Sequence, residues 1–364
     1  MRVLFTNNYA MDRTWEQWKK GEHPGNHLWG VTHLPQYGID VDILPYEKYA
    51  ILNQIGRKLK LGGYLDQELR IFFNLSQYDL VYSGNTDTTF ILSYLRYLGI
   101  FKKPIICVLH HTLQPNRLRH KTVVKGHDRL LCLSNKIKSD IEMNFSINQD
   151  KLEVLEWGFD LSFYDNQAKK YNIANSKPEL IISAGHTLRD YDTLVRSFTD
   201  INYRLHIYSS EHNIPKISDI PSNITFKCGS FLGKHALEYG ELVAEYGKAY
   251  AVAIPLDIPF EESNTVTQIG LTSLLEAMVL GKAVVMTRSK HISIDIEKEG
   301  IGIWVDYKDV KGWQQAISYL LEHPRETIEM GKKGRQLCES KYNLESFSSK
   351  LAGILKGFIT KGYS

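Results

Sequence analysis

QIGLTSLLEAMVLGKAVVMT, residues 268 to 287, reads as a loop, a helix and a strand in immediate succession. Leu271, Leu274, Leu275, Met278 and Val279 recur at spacings of three and four, which marks one buried helix face. Gly281 follows where a glycine commonly ends a helix, and the apolar run 283 to 286 supplies a short strand. A helix that opens at Gly270, with Leu271 and Thr272 behind it, offers unpaired backbone N–H groups and the positive end of its dipole to an anion such as a diphosphate. Glu276, two turns in, points toward whatever that phosphate carries.

Short apolar or β-branched bursts recur along the rest of the chain with helical stretches between them. They are VLFTN (3–7), VDIL (41–44), DLVYSG (79–84), PIICVLHH (104–111), RLLCLS (129–134), ELIISAG (179–185), RLHIYS (204–209), AYAVAIPL (249–256), AVVM (283–286) and GIWVD (302–306). Strands alternating with helices in this way build parallel sheets covered on both faces, so the fold class is α/β. Each half opens with a strand that runs into a polar or glycine-containing loop, the pattern of two Rossmann-like domains in tandem. The change of domain is expected in DNQAKKYNIANSKPE, 165 to 179, where apolar content falls and Asn, Lys, Ser and Pro collect. That places a first domain at 1–165 and a second at 166–344.

LLEAM, followed two residues later by GKAVV, resembles the donor-site signature of the GT-B glycosyltransferases, and in particular of the large retaining family four (glycosyl transferases group 1). WGFDLSFY, 157 to 164, is similar to the segment that closes the first domain in that family. The resemblance implies two Rossmann-like domains facing a central cleft, with a C-terminal helix, about 345–364, crossing back to the first domain. It implies transfer of a hexose-type sugar, with retained configuration, from a nucleotide-diphosphate sugar to a glycan, lipid-linked or small-molecule acceptor. In the family two Glu residues separated by seven others flank the donor. Glu276 matches the second and would bind the ribose hydroxyls. The first falls on Gln268, which can hydrogen-bond a sugar hydroxyl but cannot act as a carboxylate. Either the charge is dispensable, or Glu261 or Glu262 supplies it, or activity has been lost.

The loop after the first strand of the second half, SAGHTLRDYDTL (183–194), is a strand-to-helix turn with Asp190 or Asp192 as its cap. A guanidinium at Arg189 suits bidentate contact with a diphosphate. By resemblance Gly185, His186 and Arg189 are donor-phosphate residues, although an arginine is commoner where His186 stands. His110 and His111 end the strand PIICVLHH, the edge at which open α/β sheets bind ligands. The family often carries a histidine there that approaches the donor sugar, and His111 is the better match. Asn7, Asn8, Gly25 and Asn26 belong to the first strand-to-helix loop, on the acceptor side in this fold. Trp15 and Trp18, in the same loop, are packing residues or faces for a sugar.

Composition narrows the rest. With 364 residues, 43% hydrophobic and 23% charged, the chain is an ordinary two-domain globular protein. The start, MRVLFTNN, lacks the apolar run of a signal peptide and no stretch nears 18 apolar residues, so a cytoplasmic location is expected, with peripheral contact to the inner membrane face an option. Cys107, Cys132, Cys228 and Cys338 stand singly, against disulfides and a cysteine zinc site. Asp40-Val-Asp42 and Asp190-Tyr-Asp192 have the DxD pattern of metal-dependent transferases, but each has a structural explanation, and no metal or other cofactor is expected. Net charge is +3, yet between Arg96 and Lys138 ten basic residues face one acid, Asp128. No nucleic-acid motif accompanies them. RLRHKTVVK, 117 to 125, mixes cations with Leu118, Val123 and Val124, which suits anionic lipid headgroups or a lipid-diphosphate acceptor. Two rival functions stay open: a nucleotide-sugar 2-epimerase on the same fold, and a catalytically silent sugar-nucleotide-binding subunit.

Overall fold

The computed structural model describes residues 1–217, 219–229, 237–259 and 268–360. The chain divides into two compact units, one taking in Met1–Gly158 and the chain from Leu344, the other the described residues from Phe159 to Asn343. Glu261 and Glu262, the alternative carboxylates, lie outside the described residues.

In the first unit the elements run β1 (Arg2–Thr6), α1 (Met11–Lys19), β2 (Asp40–Ile43), α2 (Ala50–Lys58), α3 (Leu65–Asn74), β3 (Leu80–Ser83), α4 (Phe90–Tyr97), β4 (Ile105–Leu109), α5 (Leu118–Gly126), β5 (Arg129–Cys132), α6 (Asn135–Asn144) and β6 (Leu152–Val154). Among the described residues they form a parallel six-stranded sheet in the order β2-β1-β3-β4-β5-β6, with Val3 opposite both Val41 and Leu80. Every residue of β3 and β4 is buried, as continuous apolar strands covered on both faces must be. Helices α2, α3, α4 and α5 pack side by side, since successive right-handed crossovers in one direction lay their helices on one face.

The second unit runs α7 (Leu161–Lys170), β7 (Leu180–Ala184), α8 (Tyr191–Ser197), β8 (Arg204–Ser210), β9 (Ile224–Gly229), α9 (Tyr239–Lys248), β10 (Ala249–Ile254), α10 (Leu271–Val279), β11 (Ala283–Thr287), β12 (Gly302–Val305), α11 (Val310–Glu322) and α12 (Pro324–Ser340). Its sheet, again parallel, has the order β12-β11-β10-β7-β8-β9 among the described residues. One core joins Ile181, Leu194, Phe198, Ile207, Val285 and Trp313 across the sheet and α8 and α11. β6 and β9 are additions to the ten expected strands. Both are edge strands, β6 with three residues and β9 with a mostly exposed face, too short or too polar to read as apolar runs.

The units change over at Gly158–Phe159, a few residues before the expected 165–166. Helix α7 holds to the second unit through Asp165, whose carboxylate takes two parallel bonds from Arg335 on α12, at 2.8 and 2.9 Å. Backbone contact between Phe159 and Asn343 fixes the same end, the Phe159 N–H donating to the Tyr342 carbonyl at 2.8 Å. The polar stretch that suggested a boundary begins in the last turns of α7 and continues into the connection to β7. The last helix, α13 (Leu344–Thr360), belongs to the first unit. It buries Phe347, Leu351 and Leu355, and a Cβ on Gly30 would lie 2.9 Å from the Phe347 ring. The Ser348 hydroxyl donates to the Gly30 carbonyl at 3.2 Å.

Candidate functional site

Two loops of the second unit converge at the carboxyl ends of β7 and β10. After β7 the chain turns at Gly185 and reaches α8, capped by Asp190, whose carboxylate accepts from the Thr193 N–H at 3.1 Å and from its hydroxyl at 2.7 Å. The turn is braced on all sides. The hydroxyls of Tyr191 and Ser209 donate to the Gly185 carbonyl at 3.0 and 3.1 Å, and the Asn213 amide donates to the His186 carbonyl. His186 itself is exposed.

Helix α10 starts at Gly270, whose φ of 91° is open to glycine and strained for other residues. A Cβ there would also lie 2.7 Å from Met286 Cε. Gly270 brings no side chain to cap the helix; the Leu271 N–H turns back to the Gln268 carbonyl at 3.0 Å, which leaves the Thr272 and Ser273 N–H groups to seek an acceptor. Leu271 and Ser273 are buried and Thr272 half-buried in that first turn. Ser273 Oγ donates to the Ala184 carbonyl at 2.8 Å and accepts from Arg189 Nη2 at 3.1 Å, tying the two loops together.

Arg189 is the centre of the arrangement. It is only 9% exposed, its Nη1 donates to the Thr187 carbonyl at 2.6 Å, and its Nε has no partner. No carboxylate among the described residues lies within 4 Å of it. A buried cation with no carboxylate within 4 Å among the described residues, beside a helix start that has no side-chain cap, gives this end of the sheet a positive potential.

Glu276 is 6% exposed on α10. Its two oxygens each accept a long hydrogen bond, Oε1 from the Tyr164 hydroxyl of α7 at 3.4 Å and Oε2 from the Tyr246 hydroxyl of α9 at 3.5 Å. Burial pushes its pKa up to about 7, against the pull of the two hydroxyls and of Arg189. Ser273, Tyr164 and Tyr246 are not among the site residues that the sequence singles out. Ser273 could have been found as the one hydroxyl on the buried face of α10's first turn, whereas the tyrosines meet Glu276 through tertiary packing that no local pattern shows. Gln268 donates from Nε2 to the His291 carbonyl at 2.8 Å.

The first-unit candidates divide. His110 Nε2 bonds the Gly84 carbonyl at 2.6 Å, the ring stands edge-on to Trp29 at 4.6 Å, and burial lowers its pKa to about 4. It is therefore neutral and Nε2-protonated at physiological pH. His111 is half-buried, its pKa also lowered by burial. Asn8 is half-buried, as are Trp15 and Trp18, whose rings lie 5.1 Å apart on α1. Gly25 and Asn26 are buried, and the Asn26 carbonyl accepts from Trp157 Nε1 at 3.0 Å, while the Asn26 side-chain amide has no hydrogen-bond partner among the described residues. In the DxD pairs Asp42 pairs with Arg2 at 2.6 Å, Asp190 caps α8, and Asp192 accepts from the Lys216 N–H at 2.6 Å, while Asp40 is exposed. No cluster of three or more His, Cys, Asp or Glu able to hold a metal occurs among the described residues.

Comparison with solved structures gives the class of fold. The chain superimposes on a sucrose-phosphate synthase from Thermosynechococcus elongatus with a TM-score of 0.69 at 14% identity, over 100% of both chains. Against a glycosyltransferase from Rickettsia africae the TM-score is 0.64 at 14% identity, over 98% of each chain. Against Anabaena HepE in complex with UDP-glucose it is 0.63 at 12% identity, over 98% of this chain and 100% of that one. The fold is GT-B, the α/β architecture of two Rossmann-like domains found in glycosyltransferases. No family model matches the sequence, and no curated protein is similar enough in sequence to count as a relative.

Proposed function

We propose that the protein is a glycosyltransferase that takes a sugar from a nucleotide-diphosphate donor and passes it, with retention of configuration, to a glycan, lipid-linked or small-molecule acceptor. The observation that carries this reading is the buried guanidinium of Arg189, with no carboxylate within 4 Å among the described residues, beside the uncapped start of α10. A diphosphate supplies the two charges that this site lacks, Arg189 and the N–H groups behind Gly270 donate to it, and Glu276 accepts from the ribose hydroxyls. Gly185 lets the guanidinium lie close, and His186 lines the exposed side of the turn. Catalysis is positioning together with stabilisation of the leaving diphosphate, with Gln268 at the sugar. The site is built from N–H groups and a guanidinium and so operates without a metal.

Incubating the protein with UDP-, GDP- and ADP-sugars, and following nucleotide release with and without acceptors, tests this. Because HepE was solved with UDP-glucose, UDP-sugars come first. Release without any acceptor would mark a 2-epimerase, and binding without release a silent subunit. The Gln268 amide is committed to a backbone carbonyl that a carboxylate could not serve, which favours adaptation over loss of function.

The acceptor reading rests on the helix layer of the first unit. Leu118 is 79% and Phe73 77% exposed, and Ile51, Leu59, Tyr97 and Ile100 are exposed on or beside α2 and α4. Arg117, Lys121 and Lys125 are exposed beside them. Arg119 is not part of this face, since it pairs with Asp87 at 2.9 Å and lies over the Phe90 ring at 4.3 Å. Apolar side chains rimmed by cations suit an anionic bilayer carrying a lipid-linked acceptor. No helix among the described residues is long and apolar enough to cross a membrane.

A further inference from the structure

The strongest unassigned constellation is the pair of tyrosines on Glu276. A carboxylate this deeply buried would ordinarily be bridged by a cation, yet none lies within 4 Å among the described residues, and both oxygens instead meet phenol hydroxyls. The hydroxyls come from two different helices, and each ring is itself fully buried.

We propose that Tyr164 and Tyr246 are positioning residues of the nucleotide site: by donating to one oxygen each, they fix the plane of the Glu276 carboxylate and keep it ionised, ready to accept from a nucleoside's ribose hydroxyls. The inference rests on the donor-site reading above and names what makes that site work. A carboxylate keeps further lone pairs after accepting one hydrogen bond at each oxygen, so two phenols orient it without exhausting it.

The placement of Tyr164 is itself engineered by the fold. The next residue, Asp165, is gripped by the fork of Arg335, and Arg335 Nη1 also donates to the Val279 carbonyl at the end of α10 at 3.0 Å. One guanidinium thus locks α7, α10 and α12 together, at the level where Tyr164 meets Glu276. Tyr246 sits near the end of α9, just before β10.

The groups that can act on Glu276 are few. Tyr164 of α7, Tyr246 of α9 and Arg189 act on it directly, Asp160 and Tyr239 act on Tyr164, Tyr191 acts on Tyr246, and α12, which also packs on α10, carries Arg335 and Cys338. Burial raises the pKa of Glu276 while Tyr164, Tyr246 and Arg189 lower it, so removing either hydroxyl shifts titration in a known direction.

The test uses the full chain carrying ¹³C-labelled Glu, with the Glu276 carboxyl signal identified by its loss in Glu276→Gln. Its titration midpoint is expected near 7 in the wild type and higher by about half a pH unit or more in Tyr164→Phe and in Tyr246→Phe. In parallel, UDP, GDP and ADP are titrated by calorimetry across the same pH range. Wild-type affinity for the nucleotide that binds should fall about tenfold per pH unit below the midpoint. The inflection should move upward with the carboxyl signal in each Phe variant, and Glu276→Gln should show weak, pH-independent binding. A loss of affinity at all pH values with no shift of the inflection would mean that the tyrosines are only packing, and overturns the proposal. If the carboxyl signal moves but none of the three nucleotides binds the wild type, the donor-site reading fails and the positioning role with it. If a nucleotide binds while the carboxyl signal stays put in both Phe variants, the donor site stands and the tyrosine role falls.

Discussion

The guanidinium of Arg189 lies across the backbone of Gly185 so closely that a Cβ on Gly185 would meet its Nε and Nη2 at 2.4 Å. Residue 185 therefore decides where the cation sits. In Gly185→Ala the obstacle is the far end of a flexible side chain, so the fold should survive with a change within about 1 kcal/mol while the guanidinium is pushed aside. Nucleotide affinity should fall at least tenfold, because a charge-assisted hydrogen bond contributes about 1.5 to 3 kcal/mol. Calorimetry beside a thermal melt checks both. Unchanged affinity in the folded variant would remove Arg189 from the phosphate site.

Gln268→Glu separates adaptation from decay. The wild-type amide donates to the His291 carbonyl, and a carboxylate would set a charged acceptor against another acceptor. The expected outcome is a stability loss of about 1 to 3 kcal/mol and lower turnover. Raised turnover in this variant would mean instead that the missing carboxylate had silenced the protein.

What the sequence made legible follows from how local each signal is. The stretch 268–287 spells out its own loop, helix and strand, because Gly270 and Gly281 bound a helix whose apolar spacing is intact, and the structure places α10 and β11 there. Arg189 and Gly185 stand out in the sequence because they lie on the turn that follows a clear strand, and the structure has that turn after β7. The burial of Glu276 could be guessed from Leu275, Ala277 and Met278, but its partners could not, since Tyr164 and Tyr246 lie 112 and 30 residues away. The charge run at 96–138 misled in part. Arg96 folds inward onto Asp128 at 2.8 Å and Arg129 approaches Glu153 at 3.4 Å, pairings set by tertiary packing rather than by proximity in sequence.

Acid should destabilise the first unit. Burial lowers the pKa of His27 to about 3 and of His110 and His127 to about 4, from 6.5. Their folded values lie below the unfolded one, so their contribution is complete above pH 6.5 and is lost as pH falls, each at up to about 1.4 kcal/mol per pH unit. Glu68 works the other way. Burial raises its pKa to about 8, so the folded chain gains protons first and stability rises as pH drops from there. Between pH 6.5 and 5 three groups losing outweigh one gaining, and the urea midpoint should decline. His127 bonds the Val123 carbonyl at 2.8 Å and Thr89 Oγ1 at 2.9 Å, and His127→Gln should flatten the decline although it lowers stability at pH 7. An equal slope in wild type and variant would contradict the assignment.

The last prediction concerns the apolar helix layer of the first unit. If it meets an anionic bilayer, the protein should bind phosphatidylglycerol vesicles by two separable terms. Arg117, Lys121 and Lys125 supply an electrostatic part, about 1 kcal/mol for each cation, screened over roughly 10 Å at 0.1 M salt. Leu118 and Phe73 supply an apolar part, about 1.5 to 3 kcal/mol for each side chain if fully buried, that salt does not weaken. Replacing the three cations with Gln should remove the salt dependence and leave weak residual binding. Leu118→Ser with Phe73→Ser should weaken binding at every salt concentration while keeping the wild-type slope. Both variants should bind nucleotide as the wild type does, because Arg189, Ser273 and Glu276 all lie in the other unit. Wild-type protein that ignores such vesicles at low salt would assign this face to a soluble partner, and the acceptor would then be a glycan or small molecule rather than a lipid.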